Sequence, residues 1–191
     1  VIVMHPVVEW ENDPAGSARL DALSNRAFTD PALLGTYPAL LIDELSPFIQ
    51  QGDLELIQQP LDYFGLNHYT TMRARSAPDT ALGVEILQPP PEVPQTIKGW
   101  EINPEMLYQQ LLELKNRYGN LPVYITESGC AAPDKLDSEG KVADPERVAY
   151  FRDYLHAAAR AIEDGVNLKG YFAWSLMDNF EWAEGYTQRF G

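Results

Sequence analysis

The sequence contains one cysteine, Cys130, and three histidines in 191 residues. One cysteine excludes a disulfide framework and a multi-cysteine metal site, and the scattered His5, His68 and His156 lack metal-ligand spacing. Basic residues are scarce: 14 Lys and Arg stand against 28 Asp and Glu, for a formal net charge of -14. Nucleic acid and anionic membrane surfaces both need a basic footprint, so neither is expected as a partner. No apolar run approaches the roughly 20 residues that span a bilayer. The chain opens at Val1 inside an apolar run, without an initiator methionine or a charged leader. It reads as a piece of something longer, with the cytoplasm as its expected compartment.

What is present suits a packed domain. Hydrophobic residues make up 45% and charged residues 22%, a composition that can bury roughly 70% of the unfolded surface at this length. Residues 1–191 are therefore read as a single domain, and the opening at Val1 marks it as a partial one. Val1–Met4 predicts a strand ending at His5-Pro6, and Ser17 to Phe28 a helix. A second short helix is expected from Pro38, and a buried strand from Leu61 to Tyr69. Residues 70–99 carry Pro78, Pro89-Pro90-Pro91 and Pro94 with little periodicity, and predict a long irregular loop shaping the rim of an active site. Asn103 and Pro104 then signal a helix start, Leu107, Leu111, Leu114 and Tyr118 its buried stripe, and Gly119 its stop. A strand follows at Pro122–Thr126. A helix starts from Asp144-Pro145 with Val148, Phe151, Leu155 and Ile162 on one face, and a last strand runs from Leu168 to Leu176.

Strands alternating with helices predict an α/β fold with a parallel sheet, whose functional groups gather at the C-terminal strand ends. Those ends read His5, Asn67-His68-Tyr69, Glu127 and Trp174-Ser175. His5 is expected to be structural, His68 to face the helix layer and His156 to lie on the surface. Glu127, taken alone, reads as a loop salt bridge sooner than as a catalyst. Its company changes that reading, because Tyr69 on the neighbouring strand could donate its phenol and fix the carboxylate, as a retaining glycosidase needs for its nucleophile. From Trp174 to Gly191 the chain interleaves Trp174, Phe180, Trp182, Tyr186 and Phe190 with Asp178, Asn179, Glu181 and Glu184. Sugars present apolar CH faces beside hydroxyls, so their sites pair indole platforms with carboxylate acceptors. Cys130 is read as inert, its thiol pKa raised by the nearby carboxylate.

Three segments, Asp62–Tyr69, Tyr124–Gly129 and Gly170–Tyr186, resemble glycoside hydrolase family 1, the retaining β-glucosidases and β-galactosidases. The resemblance covers essentially the whole chain and implies the C-terminal half of a (β/α)8 TIM barrel, strands five to eight. By position, Glu127 resembles the family's nucleophile. Asn67 and Tyr69 resemble the residues that contact the substrate 2-hydroxyl region and orient the nucleophile. Trp174 resembles the floor under the glycone, Glu181 the acceptor for its 4- and 6-hydroxyls, and Trp182 the donor to its 3-hydroxyl. Phe190 resembles a wall near the 6-position, and Trp100 the aromatic platform of the aglycone site.

The departures from the family are informative. Ser128 stands where the family has Asn, and His68 where it has Tyr; neither change removes a catalytic group. The family's acid/base Glu, in an Asn-Glu-Pro motif, has no counterpart here. The resemblance thus implies hydrolysis of terminal β-D-glucosyl or β-galactosyl residues with retention, without cofactor or metal, by an enzyme whose N-terminal half-barrel lies outside this chain. The chain by itself is expected to be inactive. Two other readings stand beside it: a non-catalytic carbohydrate-binding half-site, and a half-barrel that closes by self-association as a homo-oligomer.

Overall fold

The computed structural model describes all of residues 1–191. Four strands form one parallel sheet: β1 (Ile2–Val3), β3 (Phe64–Asn67), β6 (Val123–Ser128) and β7 (Leu168–Ala173), in that spatial order. Sequential strands are neighbours, as in part of a barrel wall. Between them lie α1 (Pro14–Asp21), α2 (Ala27–Leu34), the short α3 (Ile42–Leu45) and α4 (Asp53–Ile57), then α5 (Pro104–Tyr118) and α6 (Pro145–Glu163). No helix is long and apolar enough to cross a membrane.

The main core lies between the sheet and the last two helices. Leu66, Ile125 and Val123 pack against Leu107, Leu111 and Leu114 of α5 and against Tyr150, Tyr154, Ala158 and Ala161 of α6. The α5 stripe is the one its spacing predicts, and Gly119 closes the helix in the left-handed region at φ 80°. Asn103 does not cap it with its side chain; the amide donates instead to Glu101 Oε1 at 3.0 Å. The α6 expectation is corrected more sharply. Val148, Leu155 and Ile162 are exposed, Phe151 is half-buried, and the inward face is built from Tyr150, Tyr154, Ala157, Ala158 and Ala161. The two phenol rings stack at 4.0 Å, and Ala158 and Ala161 share the core with the sheet residues.

Residues 70–99 are also not the irregular loop expected of them. They hold β4 (Met72–Ser76) and β5 (Val84–Leu87), an antiparallel pair whose β4 runs parallel to β2 (Val7–Glu9) as a second, three-stranded sheet. Pairing with β2 is a contact across some sixty residues of chain, which local periodicity does not register. The prolines fall outside both strands, where no ladder donor is required. Helix α1 packs on β4, and Gly16 is needed there because a Cβ would strike the Arg75–Ser76 backbone. Asp13 caps α1 through Gly16 N at 3.0 Å and also accepts from Ser76 N and Oγ at 2.6 and 2.9 Å. The single helix expected over Ser17–Phe28 is α1 running through one π-helical turn, Ala22–Arg26, into α2.

Candidate active site

The three C-terminal strand ends of β3, β6 and β7 converge on one cavity of about 380 Å³. It is lined by Tyr69, Trp100, Glu127, Trp174, Asn179, Phe180, Glu181 and Trp182. A register shift puts Glu127 there. Leu66 lies opposite Ile125, yet Asn67 lies opposite Glu127, so Thr126 is an extra residue on β6; the pairing with β7 slips over the same stretch. Simple alternation would place Glu127 on the helix side with Ile125, and the bulge turns it to the mouth of the sheet. Tyr69 Oη donates to Glu127 Oε2 at 2.6 Å. Burial, then that hydrogen bond and the carboxylate's charge, raise the Tyr69 pKa well above the ordinary phenol value, so the hydroxyl stays a donor.

The supporting residues are as closely held. Thr126 Oγ1 donates to Asn67 Oδ1 at 2.6 Å, which keeps the Asn67 amide beneath the site and outside the cavity lining. Gly129 lets the Trp174 carbonyl pass, since a Cβ there would collide with it. His68 faces the helix layer, with Nδ1 2.7 Å from Gln110 Oε1. Trp100 is anchored by its neighbour Glu101, a side chain only 1% exposed, which accepts from Arg73 Nε and Nη2 at 2.7 and 3.0 Å. Phe190 is buried behind Tyr69 and Trp100, at centroid distances of 6.1 and 6.3 Å, and does not line the cavity. Arg147 holds that terminal segment by donating to Arg189 O at 2.7 Å while paired with Asp134 and Asp144. Trp182, by contrast, is 83% exposed at the open side of the site.

Sequence reasoning missed Lys98, which reaches Glu181 from the end of the 70–99 segment at 3.4 Å. It also missed Asn179, whose amide donates to Glu181 Oε2 at 3.2 Å. The interleaving of polar and aromatic residues after Trp174 was the available signal for Asn179; nothing local marks Lys98. Cys130 is buried, and burial itself, rather than Glu127, pushes its thiol up to about 12, with Asp144 and Glu146 adding to the effect. No group of three or more His, Cys, Asp or Glu is placed to hold a metal ion.

Four parallel strands in sequential order, backed by helices and with a polar cluster at their C-terminal ends, are the pattern of part of a (β/α) barrel. The family description glycosyl hydrolase family 1 matches residues 2–191, and the chain belongs to that family. It is 43% identical to a bifunctional β-D-glucosidase/β-D-fucosidase of Bifidobacterium breve, over 91% of this chain and 42% of that protein. It is 41% identical to β-glucosidase A of Thermotoga maritima, over 97% of this chain and 42% of that one. Among solved structures, a T. maritima β-glucosidase in complex with deoxynojirimycin superimposes with a TM-score of 0.91 at 35% identity, over 99% of this chain and 44% of that one. The chain thus spans less than half the length of the relatives it matches.

Proposed function

We propose that this chain is the C-terminal half of a retaining β-glycosidase of the β-glucosidase type, strands five to eight of its barrel. The observation that carries the reading is Glu127, held by the Tyr69 phenol at 2.6 Å in a cavity lined by three indoles and a second carboxylate. In the complete enzyme Glu127 attacks the anomeric carbon of a β-glucoside or β-galactoside, the aglycone leaves, and a glycosyl–enzyme ester forms; water then hydrolyses it. Trp174 forms the floor under the sugar, with Asn67 near the 2-hydroxyl. Glu181 accepts from the 4- and 6-hydroxyls and Trp182 donates to the 3-hydroxyl. Trp100 is the aglycone platform, and Phe190 supports the 6-position from behind. The double displacement itself calls for no cofactor, and the cytoplasm is the proposed compartment.

The second carboxylate of the retaining pair lies about 5–5.5 Å from the nucleophile in such enzymes and acts first as acid, then as base. The absence of any Asn-Glu-Pro in this sequence supports its delivery by the N-terminal half-barrel. A specific observation also favours self-association: β1 and β7 are open sheet edges, and Val1, Val3 and Phe172 beside them are exposed. The test is labelling of the assembled enzyme with a 2-deoxy-2-fluoro glycoside followed by peptide mapping. Attachment at Glu127 is expected; attachment at Glu181 or Glu184 would overturn the assignment of roles.

A further inference from the structure

Lys98 sits in a tight turn. Thr96 O accepts from Gly99 N at 2.9 Å, Thr96 N donates to Trp100 O at 2.8 Å, and Thr96 Oγ1 accepts from the N–H groups of Lys98 and Trp100, each at 3.3 Å. Gly99 takes the left-handed conformation, φ 76°, that the turn requires. Ile97 points outward, and Lys98 folds back with its Nζ 4.5 Å from the Trp100 ring centroid and 5.7 Å from that of Phe190. The ammonium donates to Glu181 Oε1 at 3.4 Å, and the two side chains are only 12% and 13% exposed. Glu181 lines the cavity and Lys98 does not, so the cation stands behind the carboxylate.

Glu127 and Glu181 share this cavity, and two like charges in one cavity repel each other. An acceptor for sugar hydroxyls must also be held in one orientation, since each loose rotamer has to be fixed on binding. A cation behind Glu181 meets both demands at once. We propose that Lys98 is a positioning residue that fixes the Glu181 carboxylate as a hydroxyl acceptor. By offsetting its charge, Lys98 also biases the pocket toward neutral sugars and against cationic sugar analogues.

The inference rests on the sugar-site reading above, and its test separates the two. The pairing is read first without ligand, from the ¹⁵N resonance of the Lys98 ammonium in the 191-residue chain. That resonance should move in Glu181→Gln and stay in Glu184→Gln. Binding of deoxynojirimycin, at a pH below the pKa of its ring amine, and of a neutral gluco-configured lactam is then titrated by NMR in the assembled enzyme. Lys98→Met keeps an apolar side chain of similar length over Trp100 and removes only the charge. It should weaken the neutral ligand and shift the ratio of affinities toward the cation by on the order of tenfold, while Lys98→Arg keeps the parent ratio. A merely structural role would weaken both ligands alike and leave the ratio unchanged, which would overturn the proposal. An unmoved Lys98 resonance with both ligands bound would overturn it while leaving the sugar site standing. A paired Lys98 with neither ligand bound would overturn both.

Discussion

On one side of the four-stranded sheet, Phe64, Leu66, Val123 and Ile125 lie buried under α5 and α6. On the other, Val1 is 77% exposed, Phe172 57%, and Val3 and Tyr63 about half. Both faces are apolar, and both alternate along the same strands, yet the chain supplies cover for only one. Tyr63, Tyr124 and Phe172 make an aromatic row on the uncovered face, with Tyr63–Tyr124 at 5.2 Å and Tyr124–Phe172 at 6.5 Å. In a closed barrel such a row is packed interior; here it meets water at a cost of about 25 cal/mol per Å² of apolar surface. The lesson is that folding and function divide between the faces. The covered face holds the chain together, and the candidate site opens on the rim of the face that is unfinished.

That contrast can be broken at several points. The largest effect is expected in catalysis. The 191-residue chain should hydrolyse aryl β-glucosides at least roughly 10² to 10⁴-fold more slowly than an assembled enzyme, because acid–base help is missing. Turnover by the purified chain at rates typical of whole enzymes would sink the half-site reading. In the assembled enzyme, Glu127→Gln should abolish the covalent intermediate while its circular dichroism spectrum is unchanged.

Stability should follow the same division. Leu111→Ala on the covered face should cost about 2–5 kcal/mol by denaturant unfolding. Phe172→Ala should cost under about 1 kcal/mol in the chain alone, and more once the other face is covered. Equal costs in the chain alone would mean that the open face is protected.

A pH effect belongs to the covered face. Burial lowers the His68 pKa from 6.5 to about 4. The unfolded chain therefore takes up a proton near pH 6.5 that the folded chain refuses. The folded state has its full stability above pH 6.5 and loses up to about 3 kcal/mol as pH falls toward 4. His68→Gln should flatten that part of the stability profile.

A further change is expected at the rim. Tyr69→Phe removes a hydrogen bond to a carboxylate, a contribution of about 1.5–3 kcal/mol. In the assembled enzyme it should slow the chemical step by roughly ten- to a hundredfold without altering the fold. A rate unchanged by this substitution would remove Tyr69 from any role in orienting Glu127.

Much of the molecule was legible from residue order alone. Helix α5 declares itself through Pro104, its leucine spacing and Gly119, because those signals are local. The three strands β3, β6 and β7 are visible as short apolar runs that end in Asn67, Glu127 and Trp174. The α6 stripe misled because Val148, Leu155 and Ile162 keep helical spacing but lie off the face that meets the sheet, where tyrosines and alanines fit the available depth. The β4–β5 pair is a local hairpin, with Ser76 opposite Val84, masked by the prolines on either side of it; only its docking on β2 spans distant sequence.

Residue order by itself determined which groups gather at the strand ends, since alternating strands and helices carry polar residues to one side of a parallel sheet. It did not determine how they meet. The extra residue at Thr126 turns Glu127 toward Tyr69, the gap left by Gly129 admits the Trp174 carbonyl, and the Thr96 turn carries Lys98 to Glu181 across more than eighty residues of sequence. Each depends on register, or on contact between distant segments, that has no local signature. Only the packed chain decides such contacts, because their energy exists only once both partners are in place.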